Sequence, residues 1–174
     1  MLTEEGTHSL KIHTYPDPVL KTQADPVRNI DEGLQVLIDE MLDVMYKAPG
    51  IGLAANQVGE LKRVIVFDKS PRDEGRDPAV LINPEIVLGE ASIRWEEACL
   101  SVIDFSAEVV RQRQVKVTGY DRNEKPVDME AEDILAVCLQ HEIDHLNGTL
   151  FIDHISSLKR ALYKKKLKKM MQKS

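Results

Sequence analysis

Ala131 to Leu146 reads as a helix that would sit badly on a surface. Its apolar residues Ile134, Leu135, Val137, Cys138, Leu139, Ile143 and Leu146 occupy so much of the helical circumference that the segment belongs at the centre of a fold. Asn147 and Gly148 close it. The same helix carries His141, Glu142 and His145, which match the pattern H-E-x-x-H. Three polar groups on a buried helix cost desolvation energy unless something engages them. Side chains at i and i+4 lie one turn apart on one face, so two imidazoles there reach a common ion at about 2.0–2.1 Å with the glutamate beside them. Two histidines satisfied by hydrogen bonds in a core are the weaker reading.

A catalytic ion of this kind usually takes three protein ligands and keeps a position for water, so a third ligand is needed. Cys138 lies about 10.5 Å along the axis from His145, too far for a short thiolate to share a compact site with both histidines; it reads as core. His154 would suit a metalloprotease with the pattern H-E-x-x-H-x-x-G-x-x-H, and Gly148 falls at the glycine, but Phe151 occupies the position that needs histidine. Cys99 remains, within Trp95-Glu96-Glu97-Ala98-Cys99-Leu100-Ser101. A lone cysteine on an apolar segment is more often a small core residue, so the thiol by itself does not complete the site.

Around this helix the chain alternates element types. Pro16, Pro18 and Pro26 rule out a continuous helix at the start, which should wrap the surface in extended form. From Asp31 to Lys47 the set Leu34, Leu37, Ile38, Met41, Leu42 and Met45 has helical spacing, stopped by Pro49 and Gly50. Arg63 to Asp68 and Val80 to Asn83 are β-branched runs joined by a breaker-rich loop, Pro71 to Pro78. Val109 to Tyr120, a turn at Asp121 to Lys125 and a return at Pro126 to Met129 predict a hairpin. Leu158 to Met171 predicts a third helix with Leu158, Leu162, Leu167 and Met170 facing inward. The fold class is α+β.

With 174 residues, 43% of them hydrophobic, one core and one domain, 1–174, are expected. No apolar run approaches the roughly 20 residues of a membrane span, and Met1 to Gly6 carries Glu4 and Glu5 instead of a basic and then apolar leader. A cytoplasmic location without membrane contact is expected, with both cysteines reduced. The net charge of −6 is uneven: Lys159 to Ser174 holds eight basic and no acidic residues, leaving 15 basic and 29 acidic side chains elsewhere. Such a tail is either a solvated helix end or a dock for an anionic partner, nucleic acid being the commonest.

Three segments in order resemble the peptide deformylases: Gly50-Ile51-Gly52-Leu53-Ala54-Ala55-Asn56-Gln57-Val58-Gly59, Glu97-Ala98-Cys99-Leu100-Ser101, and Gln140-His141-Glu142-Ile143-Asp144-His145. The resemblance runs from about Ile12, through Tyr15-Pro16-Asp17-Pro18-Val19-Leu20, to about Ile155. The glycine-rich segment lacks the Gly-Lys-Ser/Thr ending of a phosphate loop. Two positions depart from the family: Ala98 stands where relatives commonly have glycine, and Ile103 where they have proline. If position 98 needs positive φ, alanine strains the segment; an extended backbone accepts it.

The resemblance implies small antiparallel sheets around a central metal-binding helix, with a first helix near the N-terminus and a basic C-terminal helix, 158–174. It implies hydrolysis of the formyl group from N-formylmethionine on nascent polypeptides, releasing formate. Cys99, His141 and His145 would hold one divalent metal, iron(II) first, with zinc, nickel or cobalt as substitutes. Glu142 would move protons, while the Gln57 amide and the Leu100 backbone N–H would stabilise the developing oxyanion. Gly50, Ile51, Gly52 and Leu53 would pair with the peptide; Ile51, Leu100, Cys138 and His141 would enclose its methionine. Glu97 would lie at the substrate site and orient the metal segment. The C-terminal helix of bacterial members docks on the ribosome, which makes the ribosome an expected partner. A zinc endopeptidase using the same helix is the rival reading, with a metal-binding domain lacking turnover behind it.

Overall fold

The computed structural model describes residues 9–48, 50–70 and 74–174. The first helix, α1 (Glu32–Lys47), opens on Asp31, whose carboxylate accepts from the Leu34 N–H at 2.9 Å and satisfies a donor that has no partner inside the helix. Leu34, Leu37, Ile38, Met41 and Met45 are buried along it, as the spacing predicts. The predicted stop at Pro49 lies outside the described residues, as do Met1 to Gly6 and the first three residues of the predicted loop, Pro71 to Asp73.

Among the described residues the strands are β1 (Gly52–Ala54), β2 (Val64–Asp68), β3 (Pro78–Glu90), β4 (Ile93–Cys99), β5 (Val102–Arg111), β6 (Gln114–Tyr120) and β7 (Pro126–Glu132). Five form one antiparallel sheet in the order β1-β2-β3-β6-β7, and β4 pairs with β5 in a separate two-stranded sheet. The predicted hairpin is β6–β7, turning at Asp121 to Lys125. The predicted run Val109 to Tyr120 divides, its first residues ending β5 and the rest forming β6. β3 extends well past Asn83, and β4 lies where no strand is predicted. Register shifts between Ile82 and Glu85, and again between Ile86 and Leu88, break the period-two pattern along β3.

β2 is buried on both faces because a helix covers each. Ile65 and Phe67 pack with Ala136, Leu139, Ile143 and Leu146 of α2 (Asp133–Leu146). Val64 and Val66 pack instead with Leu34, Ile38, Met41 and Met45 of α1. Each fully buried side chain of this size contributes about 1.5–3 kcal/mol. α2 begins two residues later than predicted, because Ala131 and Glu132 finish β7 opposite Val115 and Gln114. Ile134, expected inside, is 50% exposed.

A third cluster joins Val102, Ala107 and Val109 of β5 to Phe151, Ile152, and Tyr163 and Leu167 of α3 (Ser157–Gln172). Leu20 enters this cluster from a 3-10 turn, Pro18–Lys21, that interrupts the extended opening segment. The inner face of α3 agrees with the prediction in part: Leu167 is buried and Met170 half-buried as expected, but Leu158 is 69% and Leu162 59% exposed, and Tyr163 is buried in their stead. Aromatic packing against Phe105 decides the helix's rotation, and leucine spacing alone carries no record of that partner.

Candidate metal centre

The central helix and the β4–β5 hairpin meet at one point. One turn of α2 separates His141 from His145, and their Nε2 atoms face each other at 3.2 Å. Cys99 ends β4, where the ladder register shifts between Ala98 and Cys99, and its Sγ lies 3.4 Å from His145 Nε2. All three donor atoms lie within 4.8 Å of one another. Ligands held about 2.0–2.3 Å from a tetrahedral ion stand about 3.3–3.6 Å apart, so the two short separations fit a shared cation.

The two rings are shifted in opposite directions. Desolvation disfavours an imidazolium at His141, yet the Cys99 sulfur and the Glu97 carboxylate outweigh it and raise the ring's pKa well above its ordinary value. Burial, with the neighbouring His141, pushes His145 well below its own.

Glu97 is 4% exposed and stands behind the ring, its Oε1 2.8 Å from His141 Nδ1. A carboxylate there places a proton on Nδ1 and turns the Nε2 lone pair toward the donor cluster. Arg111 in turn donates from Nε to Glu97 Oε2 at 2.7 Å and from Nη2 to Oε1 at 2.9 Å. Its Nη1 reaches Asp144 Oδ2 at 2.6 Å, and His154 Nε2 lies 2.8 Å from the same oxygen. Burial alone would raise Glu97, but Arg111 and His141 hold it down to about 2. Arg111 is absent from the sequence prediction, and Asp144 stands there within its segment without a role. In sequence only the alternation Ala107, Val109, Arg111 hints that the arginine shares a face with apolar residues; its burial there, which requires carboxylate partners, comes from the fold.

Glu142 is 5% exposed, and its Oε2 has no hydrogen-bond partner among the described residues. Desolvation pushes this carboxyl up to about 7. A Cβ at Gly52 would stand 2.8 Å from Glu142 Oε1 and from Cys138 Sγ, so only glycine lets β1 approach the helix so closely. Gln57 is held by its Oε1, which accepts from the Ala54 N–H at 3.0 Å; its Nε2 donates to Ser101 Oγ at 3.2 Å and toward Cys99 Sγ at 3.6 Å. Gln57 thus makes the loop bond and still presents its amide nitrogen to the donors. Ala98 is not among the residues with positive φ, so alanine is unstrained there.

A cavity of about 270 Å³ opens over the donors. Gly50, Ile51, Gly52, Gln57, Glu97, Cys99, Leu100, Cys138, His141 and Glu142 line it. His145 lies behind them at 1% exposure, and Leu53, predicted to face the peptide, is not among the lining residues, its side chain being buried against α1. Trp95, Ile134 and Val137 also line the cavity and escaped the sequence prediction. Ile134 stays exposed because it forms part of this opening. Cys138 is buried, its thiol pushed well up by desolvation, and Cys138 is not in the metal-competent cluster. His154, the candidate third ligand of the protease reading, is occupied by Asp144 and Arg111 instead.

The polypeptide deformylase family profile matches residues 9–161. The chain belongs to this family. A peptide deformylase of Syntrophobacter fumaroxidans is 51% identical over 163 residues, covering 94% of this chain and 96% of that protein. One from Thermodesulfovibrio yellowstonii is 54% identical over 159 residues, covering 91% and 96%. A crystal structure of a peptide deformylase from Legionella pneumophila superposes with a TM-score of 0.86 at 45% identity, covering 93% of this chain and 95% of that one. The peptide deformylase of Ehrlichia chaffeensis in complex with actinonin gives a TM-score of 0.87 at 38% identity, over 92% and 96%. Among the described residues no helix of this deformylase is long and apolar enough to cross a membrane.

Proposed function

We propose that this chain hydrolyses the formyl group from N-formylmethionine at the start of nascent polypeptides, as one domain spanning 1–174. The observation that carries this reading is the union of three donor atoms, two of them on residues that line one cavity, with a buried Glu142 oxygen that has no hydrogen-bond partner among the described residues. Cys99, His141 and His145 would hold a divalent ion, whose Lewis acidity makes a water nucleophilic near neutral pH.

The chain's own groups do the rest. Glu142 accepts the proton of the attacking water and returns it to the departing amine; a carboxyl near 7 is suited to both transfers. Gln57 Nε2 and the Leu100 backbone N–H donate to the carbonyl oxygen as it gains charge. β1 is an edge strand of its sheet, so the Gly50 to Leu53 backbone has a free side on which an extended peptide can pair. Ile51, Leu100, Cys138 and His141 would enclose the methionine. Glu97 acts from behind, keeping His141 in the tautomer that offers Nε2.

Iron(II) is the proposed ion, on the strength of the family resemblance; a cysteine with two histidines also accepts zinc, nickel or cobalt. The ribosome is the proposed partner of α3, supported by its exposed lysines and by Leu158 and Leu162 beside them. A cytoplasmic location, where nascent chains emerge, belongs to the same reading. Formate release from a formyl-Met peptide with every internal bond intact supports deformylation; internal cleavage that depends on His154 supports the protease. Metal analysis of protein purified without oxygen identifies the ion. Co-sedimentation with ribosomes should be lost when Lys164, Lys165, Lys168 and Lys169 become glutamate, and unchanged binding removes the docking claim.

A further inference from the structure

The β4–β5 ladder is regular from Ile93 opposite Arg111 to Ala98 opposite Ser106, and then Cys99 pairs with Val102. The register skips Ile103, Asp104 and Phe105, which form a bulge directly after the cysteine turn. Asp104 takes φ +52, in the left-handed region that residues other than glycine adopt uncommonly and aspartate more readily than most. A bulge also disrupts the ladder locally, so its carbonyls are open to donors from outside the sheet.

Two of those carbonyls find donors on α3. The Tyr163 hydroxyl donates to Ile103 O at 3.2 Å, and Lys166 Nζ donates to Asp104 O at 2.9 Å. The Tyr163 ring, 1% exposed, lies 4.6 Å from the ring of Phe105. Tyr163 and Lys166 are three residues apart and therefore share a face of the helix. On its other side the bulge borders a second cavity of about 590 Å³, lined by Asp104, Phe105 and Ser106 and sharing Gly50, Ile51 and Leu100 with the metal cavity.

We infer that Tyr163 and Lys166 are positioning residues for the peptide groove: by pinning the β5 bulge they shape the wall against which residues beyond the formylated methionine lie. The C-terminal helix is then part of substrate binding as well as a surface. This rests on the deformylase reading for its substrate, while the clamp itself rests only on the contacts between α3 and β5.

The test uses the metal-loaded full chain and the double variant Tyr163→Phe, Lys166→Met, which removes both donors and keeps the ring and the aliphatic stem. Amide hydrogen exchange across Leu100 to Ser106 should speed up in the variant, and unchanged protection overturns the clamp whether or not the protein turns over. With formyl-Met tripeptide, KM should rise about fivefold with kcat changed less, from the loss of the hydrogen bonds. The preference for tripeptide over formylmethionine amide, as a ratio of kcat/KM, should narrow by the same factor. Equal losses on both substrates would mean general destabilisation and overturn the positioning role. Tyr163 with Lys166→Arg, which restores a cationic donor, should recover the preference. An unsubstituted protein releasing no formate from either substrate would sink deformylation, with the exchange result still deciding the clamp.

Discussion

Two helices of similar length, α2 with 14 residues and α3 with 16, treat their charged groups in opposite ways. In α2 ten residues are buried, including His141, Glu142 and His145. In α3 only Tyr163 and Leu167 are buried, and the lysines stand in solvent. Exposed charge costs little, so its presence says little about purpose. Buried charge costs several kcal/mol unless it is engaged: Glu97 and Cys99 of β4 meet His141 and His145, while Glu142, left without a hydrogen-bond partner at Oε2 among the described residues, has its carboxyl pushed up instead. The contrast teaches where a substitution should matter: a change on α2 or its supports should act on chemistry and folding, and one on the outer face of α3 on association alone.

The largest effect expected is from Cys99→Ala, which should release the ion and reduce formate production to background, measured by metal content and turnover together. Glu142→Gln should leave metal in place and lower kcat about 10²–10⁴-fold, the usual contribution of a positioned acid–base group. Arg111→Met strands the Glu97 carboxylate in the core and should cost about 3–5 kcal/mol of stability in denaturant unfolding, with weakened metal retention. Gln57→Ala should raise the barrier by about 2.7–4 kcal/mol, seen in kcat with metal content intact. Replacing Lys164, Lys165, Lys168 and Lys169 by glutamate should shift unfolding by less than about 0.5 kcal/mol. A loss there as large as that of Arg111→Met would erase the distinction between the two helices.

Rotation errors separate the two helices as well. The apolar pattern of α2 identifies a buried helix whichever way it is turned, because nearly all of its circumference is covered. α3 has a narrow contact, and its three leucines competed with one tyrosine for it; Leu158 and Leu162 stayed outside because Phe105 and Tyr15 offer Tyr163 an aromatic seat. Ile134 failed for a related reason, since a cavity mouth looks like a core to a periodicity argument.

Periodicity acts between residues one turn or one pleat apart, and for that reason α1, α2, the β6–β7 hairpin and the His141–His145 pair are written in neighbouring letters. The cysteine is another matter. Spacing excluded Cys138 and left Cys99 as one candidate thiol, made persuasive only by resemblance to a family. Cys99 reaches His145, 46 residues away in sequence, only because the β4–β5 register shifts at Ala98 and turns the sulfur toward α2. Arg111 bridges Glu97 and Asp144, and Tyr163 meets Ile103, through the same kind of long-range packing. Register, bulges and the docking of one element on another depend on the whole folded chain, and no local pattern of residue types encodes them.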